Sequence, residues 1–289
     1  MDERAALRRL AAAVPDAGDD AAVIDGLVLT MDMLHERTDF PAGVTRETAG
    51  WRAVGASLSD IAAMGAEARA TLAAYGAPRL EWDEIADFVD GARAVSESCG
   101  AAYVGGDLDA HEEYTVATTA VGRTDDPVRR SGAQVNDAIC VTGTLGRTAA
   151  ALRLFERGEV QRANDLFRFE PRVAAGRALA DHATAMMDSS DGLAVSLHQL
   201  AEASGVGMAI ERPLPIDEVV DEVAEGAADR LELGCYTGED FELICTVPTD
   251  ALEAAQAACP VDLTRIGRVV DSDVTLDGES LPERGFTHE

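Results

Sequence analysis

The chain has 289 residues, 47% of them hydrophobic, which suits one large globular domain or two of ordinary size. Its 53 acidic and 24 basic residues give a net charge of −29, which excludes nucleic acid and anionic membranes as partners because both bind through basic patches. All 24 basic residues are arginine, which excludes sites that depend on lysine, such as a lysine-bearing P-loop or a pyridoxal Schiff base.

The same composition indicates where the protein works. Acidity spread along the whole chain is typical of salt-loving organisms, where molar salt screens charges to a Debye length of about 3 Å, and it indicates a halophilic source. No apolar run approaches the roughly 18 residues that cross a bilayer, and the charged start at Met1–Arg9 lacks the apolar core of a signal peptide. Because the five cysteines form no C-x-x-C pair, we expect no zinc ribbon or disulfide framework and a cytoplasmic location.

The first half of the chain predicts a sheet with helices. Extended segments are predicted at Ala21–Met33 (with a turn at Asp25-Gly26), Ala101–Val104 and Tyr114–Val121, and helices at Arg46–Met64 and Glu81–Cys99. The charged, proline-containing stretch Arg123–Arg130 is typical of a linker. We therefore expect two lobes, residues 1–127 and residues 128–289.

The second half predicts alternating strands and helices. Strands are predicted at Ala138–Thr142, Ala185–Met187, Gly207–Ile210, Phe241–Val247 and Thr264–Val270. Helices are predicted at Gly146–Arg157, Pro171–Asp181, Leu193–Ala203, Glu218–Ala228 and Asp250–Ala258. The fold class is therefore mixed α/β (α+β) in two lobes.

A few aspartates differ from the other acidic residues in their neighbours. Most acidic side chains of such a chain are solvated surface charges, but an unpaired charge among small or apolar residues is costly. The aspartates in such surroundings are Asp19, Asp20, Asp32, Asp60, Asp107, Asp188 and Asp191. They end predicted strands or helices, where separate segments can converge, and oxygen ligands of this kind suit Mg²⁺ shared with substrate phosphates. The pattern indicates a metal-phosphate enzyme.

Two glycine-containing segments allow two interpretations each. Gly105-Gly106 and Thr142–Gly146 could bring backbone N–H groups to a phosphate, the second of them at a helix N-terminus. Both segments are equally compatible with ordinary tight turns.

Seven short motifs, in order, resemble the thiamine-monophosphate kinase family. They are G-D-D-A-A-V (18–23), L-S-D-I-A-A-M-G-A (58–66), V-G-G-D (104–107), R-S-G-A (130–133), V-T-G-T-L-G (141–146), D-S-S-D-G-L (188–193) and G-E-D-F-E-L (238–243). This family is related to aminoimidazole ribonucleotide synthetase, selenophosphate synthetase and HypE. The resemblance implies a PurM-like fold with an N-terminal dimerisation lobe, and transfer of phosphate from ATP to thiamine monophosphate, giving thiamine diphosphate.

The resemblance also implies a role for individual residues. Several Mg²⁺ ions would be held by Asp20, Thr30, Asp32, Asp60, Asp107, Asp188 and Asp191, of which Asp60 and Asp107 are expected to be the most critical. ATP would contact Gly106, Asp107, Arg130 and Ser190, and thiamine monophosphate would contact Asp39, Glu239 and Phe286. The site would lie between the lobes near the interface of a homodimer, and whether K⁺ is also needed is left open.

One departure from the family bears on the acceptor. The family often has T-D-T-L-V-x-G-x-H-F where this chain has Met31–Phe40, so Asp39 stands at the position of the histidine. Two alternatives to the kinase follow: a related ATP-using enzyme with another acceptor, and a catalytically silent nucleotide-binding protein. ATP turnover that depends on the acceptor separates all three.

Overall fold

The computed structural model describes residues 9–10, 13–14 and 17–285, which form two sheets with helices packed against them. The strands are β1 (Ala22–Ile24), β2 (Leu27–His35), β3 (Glu67–Ala77), β4 (Ala102–Ala110), β5 (Thr115–Arg123), β6 (Ala138–Thr142), β7 (Ala185–Asp188), β8 (Gly207–Ile210), β9 (Leu243–Val247), β10 (Leu263–Val270), β11 (Val274–Leu276) and β12 (Glu279–Ser280). The helices are α1 (Glu36–Asp39), α2 (Arg46–Ala63), α3 (Trp82–Ser98), α4 (Arg147–Glu156), α5 (Val160–Phe167), α6 (Val173–Leu179), α7 (Leu193–Ser204), α8 (Val219–Val223), α9 (Ala227–Cys235) and α10 (Leu252–Ala258). Within this described part, no helix combines the length and apolarity that a membrane crossing requires.

The first lobe is a five-stranded sheet in the order β1-β2-β5-β3-β4. Its pairs are antiparallel except for β3 and β4, which run parallel. The predicted turn at Asp25-Gly26 is confirmed, with φ of 52° and 77°. Strand β3 was not predicted, because E-A-R-A-T-L-A-A-Y-G-A is rich in alanine, which has a low strand propensity. Its position in the sheet separates β4 from β2, which matters for the site.

The small residues of α2 allow this helix to pack closely. A side chain at Gly50 would lie 2.1 Å from the Phe88 carbonyl oxygen of α3, and one at Gly91 would lie 1.9 Å from the Glu47 carbonyl oxygen. Two helices therefore approach backbone to backbone on one face of the first sheet. Helix α2 also contacts β7 and α6 of the second lobe, which places it between the two sheets.

The second lobe is a seven-stranded sheet in the order β12-β11-β8-β10-β6-β9-β7. The two-lobed mixed α/β fold is thus confirmed. The single helix predicted at Glu218–Ala228 is wrong: the chain forms α8 and α9 instead, because Ala224 after α8 is extended, with ψ of 141°, and Gly226 before α9 has a φ of 133°. One continuous core joins Val54 and Leu58 of α2 to Met186 and Cys245 of the second sheet, so the lobes pack against each other through apolar contacts.

Candidate functional site

Three carboxylates from separate segments meet where the lobes join. Asp20 precedes β1, Asp60 lies in the last turn of α2, and Asp188 ends β7. One oxygen atom from each lies within 4.8 Å of the others. An all-carboxylate donor set of this size fits a hard divalent cation such as Mg²⁺. The structure thus brings together three of the seven residues predicted to be metal ligands.

The carboxylates of this cluster are held at an electrostatic cost. Burial raises the pKa of Asp60 well above its usual range, and the nearby charges of Asp32, Asp188 and Asp20 raise it further. Burial and the charge of Asp20 raise the pKa of Asp188 to about 7. The buried Oδ2 of Asp188 completes no hydrogen bond with a described residue, although the Ser59 hydroxyl is near enough to favour its charged form. A bound cation would remove this repulsion, so the residues present fit a metal.

Asp32 and Thr30 extend the cluster along β2. The Ser57 hydroxyl of α2 donates a hydrogen bond of 2.5 Å to Asp32 Oδ2, and the Thr30 hydroxyl donates one to Asp60 Oδ2. Burial raises the pKa of Asp32. Both predicted ligands therefore lie beside the three clustered carboxylates and contact α2.

Arg130 lies directly beside this cluster. Its guanidinium donates to both oxygens of Asp20, at 3.1 and 2.8 Å, and its backbone N–H donates to Asp19 Oδ1 at 3.0 Å. Burial alone would lower the pKa of Arg130, but the charge of Asp20 raises it, so the guanidinium stays charged. The residue predicted to contact ATP is thus a fixed positive charge next to the predicted metal ligands.

A small cavity of about 80 Å³ opens beside the carboxylates. Its lining contains the predicted residues Asp32, Asp39, Ser190, Asp191 and Glu239. The structure thus brings predicted metal, ATP and acceptor residues to one place. Phe286, the third predicted acceptor residue, lies outside the described residues.

Asp39 shapes one wall of this cavity. It is 4% exposed, and its Oδ2 accepts hydrogen bonds from the His35 backbone N–H at 2.6 Å and from the Thr38 hydroxyl at 2.8 Å. These bonds close the short turn α1. The aspartate at the family's histidine position is therefore held rigidly at the cavity.

Gly106 and Asp107 lie on β4, away from the carboxylate cluster. Asp107 of β4 lies opposite Ala74 of β3, which in turn lies opposite Ala117 of β5, and Ala117 lies opposite Met33 of β2. Side chains directly opposite each other point to the same side, so these four residues share one face of the first sheet. Three strand spacings separate Asp107 from β2, about 14 Å. Asp32, the neighbour of Met33, points to the opposite face, toward Ser57 of α2. Asp107 therefore does not join the carboxylate cluster of its own chain.

Gly106 lies beside a second cavity, of about 250 Å³, between β4 and α3. Its lining includes the rings of Tyr75, Phe88 and Tyr103 together with Gly105–Asp107. A side chain at Gly106 would lie 1.7 Å from the Ala73 carbonyl oxygen, so only glycine fits this position. The strand thus carries an apolar pocket next to exposed backbone.

The segment Thr142–Gly146, considered above as an anion site, has another role. The Asp240 carboxylate accepts hydrogen bonds from the backbone N–H groups of Gly146, at 2.5 Å, and of Thr148, at 2.9 Å. The first turn of α4 is therefore occupied by a side chain of the protein itself, and the interpretation as a tight turn is the better one.

Sequence reasoning missed one charged residue near the acceptor side. Arg52 of α2 donates a hydrogen bond of 2.9 Å to the Glu239 carboxylate. It is the one charged residue between Glu47 and Asp60, and a lone charge in so apolar a helix was the signal that could have found it.

Comparisons with known proteins identify the family and the fold of the chain. Residues 18–124 match the AIR synthase related protein N-terminal domain, and residues 134–278 match its C-terminal domain. A thiamine-monophosphate kinase of Halobacterium salinarum is 58% identical over 291 residues, covering all of both chains, and one of Methanospirillum hungatei is 44% identical, covering 93% of this chain and 92% of its own. The solved structure of AaThiL complexed with AMPPCP and TMP has a TM-score of 0.90 at 28% identity, covering 100% of this chain and 97% of its own.

Proposed function

The chain belongs to the AIR synthase related protein family and, within it, to the thiamine-monophosphate kinases, and from this premise we infer that it transfers the γ-phosphate of ATP to thiamine monophosphate. The products are thiamine diphosphate and ADP. The observation that carries the inference is the convergence of Asp20, Asp60 and Asp188, from both lobes, within 4.8 Å. The choice of acceptor rests on the full-length similarity to enzymes of that name.

The carboxylates are suited to phosphate chemistry in an acidic protein. Asp20, Asp60 and Asp188 would hold Mg²⁺, with Thr30, Asp32 and Asp191 around them, and several ions would be bound. When bound, Mg²⁺ supplies the positive charge that lets two phosphate groups approach each other. Arg130, fixed by Asp20, adds a charge that can clamp a phosphate through two hydrogen bonds. No general base is needed, because the acceptor phosphate is already an anionic nucleophile.

The cavity beside the cluster suits the rest of the acceptor. Thiamine monophosphate carries a cationic thiazolium ring, and the cavity presents Asp39 and Glu239 together with the ring of Phe241. Carboxylates and an aromatic face both favour a cationic ring. We place the heteroaromatic end of the acceptor here, with its phosphate toward Asp32 and Ser190.

The cavity beside Gly106 suits the base of ATP. Its aromatic lining would accept a planar ring, and the backbone at Gly105-Gly106 would approach the phosphates. ATP bound there is far from the carboxylate cluster of the same chain, since β4 and β2 are separated by β5 and β3. The two halves of the site therefore need a second copy of the chain.

The uncovered face of the first sheet supports this homodimer. Met31 and Met33 of β2 are 70% and 58% exposed. Thr119 of β5 pairs with Met31 on one side and with Leu72 of β3 on the other, so Leu72 lies on the same face as Met31. An uncovered apolar sheet face is a typical contact surface. Asp107 lies on this same face, so pairing of two sheets would place Asp107 at the interface. That Asp107 of one copy completes the site of the other is our proposal. The five free cysteines fit a reducing compartment, and we place the dimer in the cytoplasm.

The function is tested by a coupled ATP-turnover assay in concentrated KCl with MgCl₂. Thiamine monophosphate, thiamine and no acceptor are compared, and the product is identified by mass. We expect ADP release only with thiamine monophosphate, with thiamine diphosphate as the product, and a parallel series in NaCl tests for a K⁺ requirement. ATP binding without stimulation by thiamine monophosphate would contradict the acceptor assignment.

A further inference from the structure

Arg52 is a buried cation between the two lobes. Its side chain is 1% exposed, and its guanidinium carbon lies 3.7 Å from the centre of the Phe167 ring. Its Nη1 donates to the Phe167 carbonyl oxygen at 2.8 Å. Its Nε completes no hydrogen bond with a described residue. Burial of so polar a group is costly unless strong partners compensate it.

The strong partner of Arg52 is Glu239 in the other lobe. Nη2 donates to the Glu239 carboxylate at 2.9 Å and to the Glu239 carbonyl oxygen at 3.1 Å. One guanidinium group thus holds both the side chain and the backbone of this residue. Lysine could not make the same set of contacts, because its single nitrogen lacks the planar fork of arginine.

The segment that contains Glu239 has an unusual backbone. Gly238, Glu239 and Phe241 have φ of 66°, 59° and 54°. This is the left-handed region, which residues other than glycine adopt only at an energetic cost. The Thr148 hydroxyl also donates to the Glu239 carbonyl oxygen, at 2.7 Å. The conformation therefore depends on contacts from outside the segment, and Arg52 supplies those that come from the first lobe.

The cavity beside Glu239 is lined by acidic residues. Asp32, Asp39, Asp191 and Glu239 all line it, and no arginine is among the described residues of its lining. Arg52 is not part of this lining but pairs with Glu239, so it holds that carboxylate in place without blocking the cavity. A buried ion pair seldom adds net stability over an apolar pair. Holding Glu239 in place therefore explains the presence of Arg52 better than stabilisation of the fold does.

We propose that Arg52 is a positioning residue for the acceptor, which fixes the Glu239 carboxylate and its left-handed segment relative to the metal ligands on α2. Arg52 and Asp60 lie eight residues apart on one helix, about 12 Å along its axis. Helix α2 thus sets the separation between the acceptor segment and the carboxylate cluster. The proposal rests on the proposed function, since the acceptor is the molecule that Glu239 contacts.

The test compares Arg52→Lys with Arg172→Lys. Arg172 is a matched control, because it is also largely buried and pairs with a glutamate of the same motif, donating to Glu242 at 2.7 and 2.6 Å, but it does not line the acceptor cavity. We expect Arg52→Lys to raise KM for thiamine monophosphate at least about 10-fold while KM for ATP stays within about 2-fold, and Arg172→Lys to leave both KM values within about 2-fold.

A second set of measurements separates position from stability. The double variant Arg52→Lys/Glu239→Gln should bind thiamine monophosphate no more weakly than Glu239→Gln alone, measured by calorimetry with a non-hydrolysable ATP analogue. Equal rises in both KM values, additive losses in the double variant, or failure of both Arg52→Lys and Arg52→Gln to fold while Arg172→Lys folds would each overturn the proposal. Absence of acceptor-dependent turnover in the unmodified protein would instead overturn the proposed function.

Discussion

Replacing Asp60 by asparagine should lower kcat by more than about 100-fold, equivalent to about 2.7 kcal/mol of transition-state stabilisation. Asp60 belongs to the cluster of three carboxylates: one oxygen atom each of Asp20 and Asp188 lies within 4.8 Å of it, and the Thr30 hydroxyl donates to it. Asparagine keeps the shape of the side chain but removes the charge that holds a divalent cation. The loss should therefore appear in turnover at saturating substrate.

The same variant should be no less stable than the unmodified protein when metal is absent. Burial and three neighbouring carboxylates raise the pKa of Asp60, so its charged form is disfavoured in the folded state and a neutral amide removes that cost. Mg²⁺ should raise the melting temperature of the unmodified protein and have a smaller effect on the variant. Asp165→Asn, at an exposed position of α5, serves as the control and should change neither quantity. Near-normal turnover of Asp60→Asn would contradict its assignment as a ligand.

Replacing Asp107 by asparagine should also lower turnover by more than about 100-fold, although Asp107 is exposed and far from the cluster of its own chain. The reason is the proposed dimer, in which Asp107 of one copy completes the site of the other. Because the residue is exposed, the melting temperature should not change.

Mixing the two inactive variants tests this arrangement directly. A mixed dimer of Asp60→Asn and Asp107→Asn chains contains one site in which both aspartates are intact. Random exchange makes half of the dimers mixed, and half of their sites are intact, so about a quarter of normal activity should return. Mixing under conditions that prevent exchange should restore nothing. No recovery after demonstrated exchange would place Asp107 in the same site as its own Asp60, or outside the site.

The sequence predicted the clustered aspartates for a physical reason. Asp20, Asp60 and Asp188 each follow or precede apolar, small residues, and a charge in such surroundings needs a function to offset its cost. What the sequence did not predict is which of the seven aspartates meet in one chain. That depends on strand order, and β3, the strand that separates β4 from β2, was the strand without a recognisable pattern.

Other differences arise from contacts that no local pattern encodes. The segment Thr142–Gly146 resembles an anion site until Asp240, almost a hundred residues later, is seen to occupy the helix terminus. Arg52 was overlooked because its partner Glu239 lies in the other lobe. In both cases the role of a residue is decided by tertiary contacts between distant segments.

The most direct test of a metal site shared between two copies is anomalous diffraction from crystals grown with Mn²⁺ in place of Mg²⁺, a non-hydrolysable ATP analogue and thiamine monophosphate. We predict anomalous peaks within about 2.2 Å of carboxylate oxygens of Asp20, Asp60 and Asp188, with Asp107 of a second copy contacting a metal at the same site. Anomalous peaks only at other carboxylates, with no metal peak at Asp20, Asp60 and Asp188, would contradict the site and the mechanism built on it.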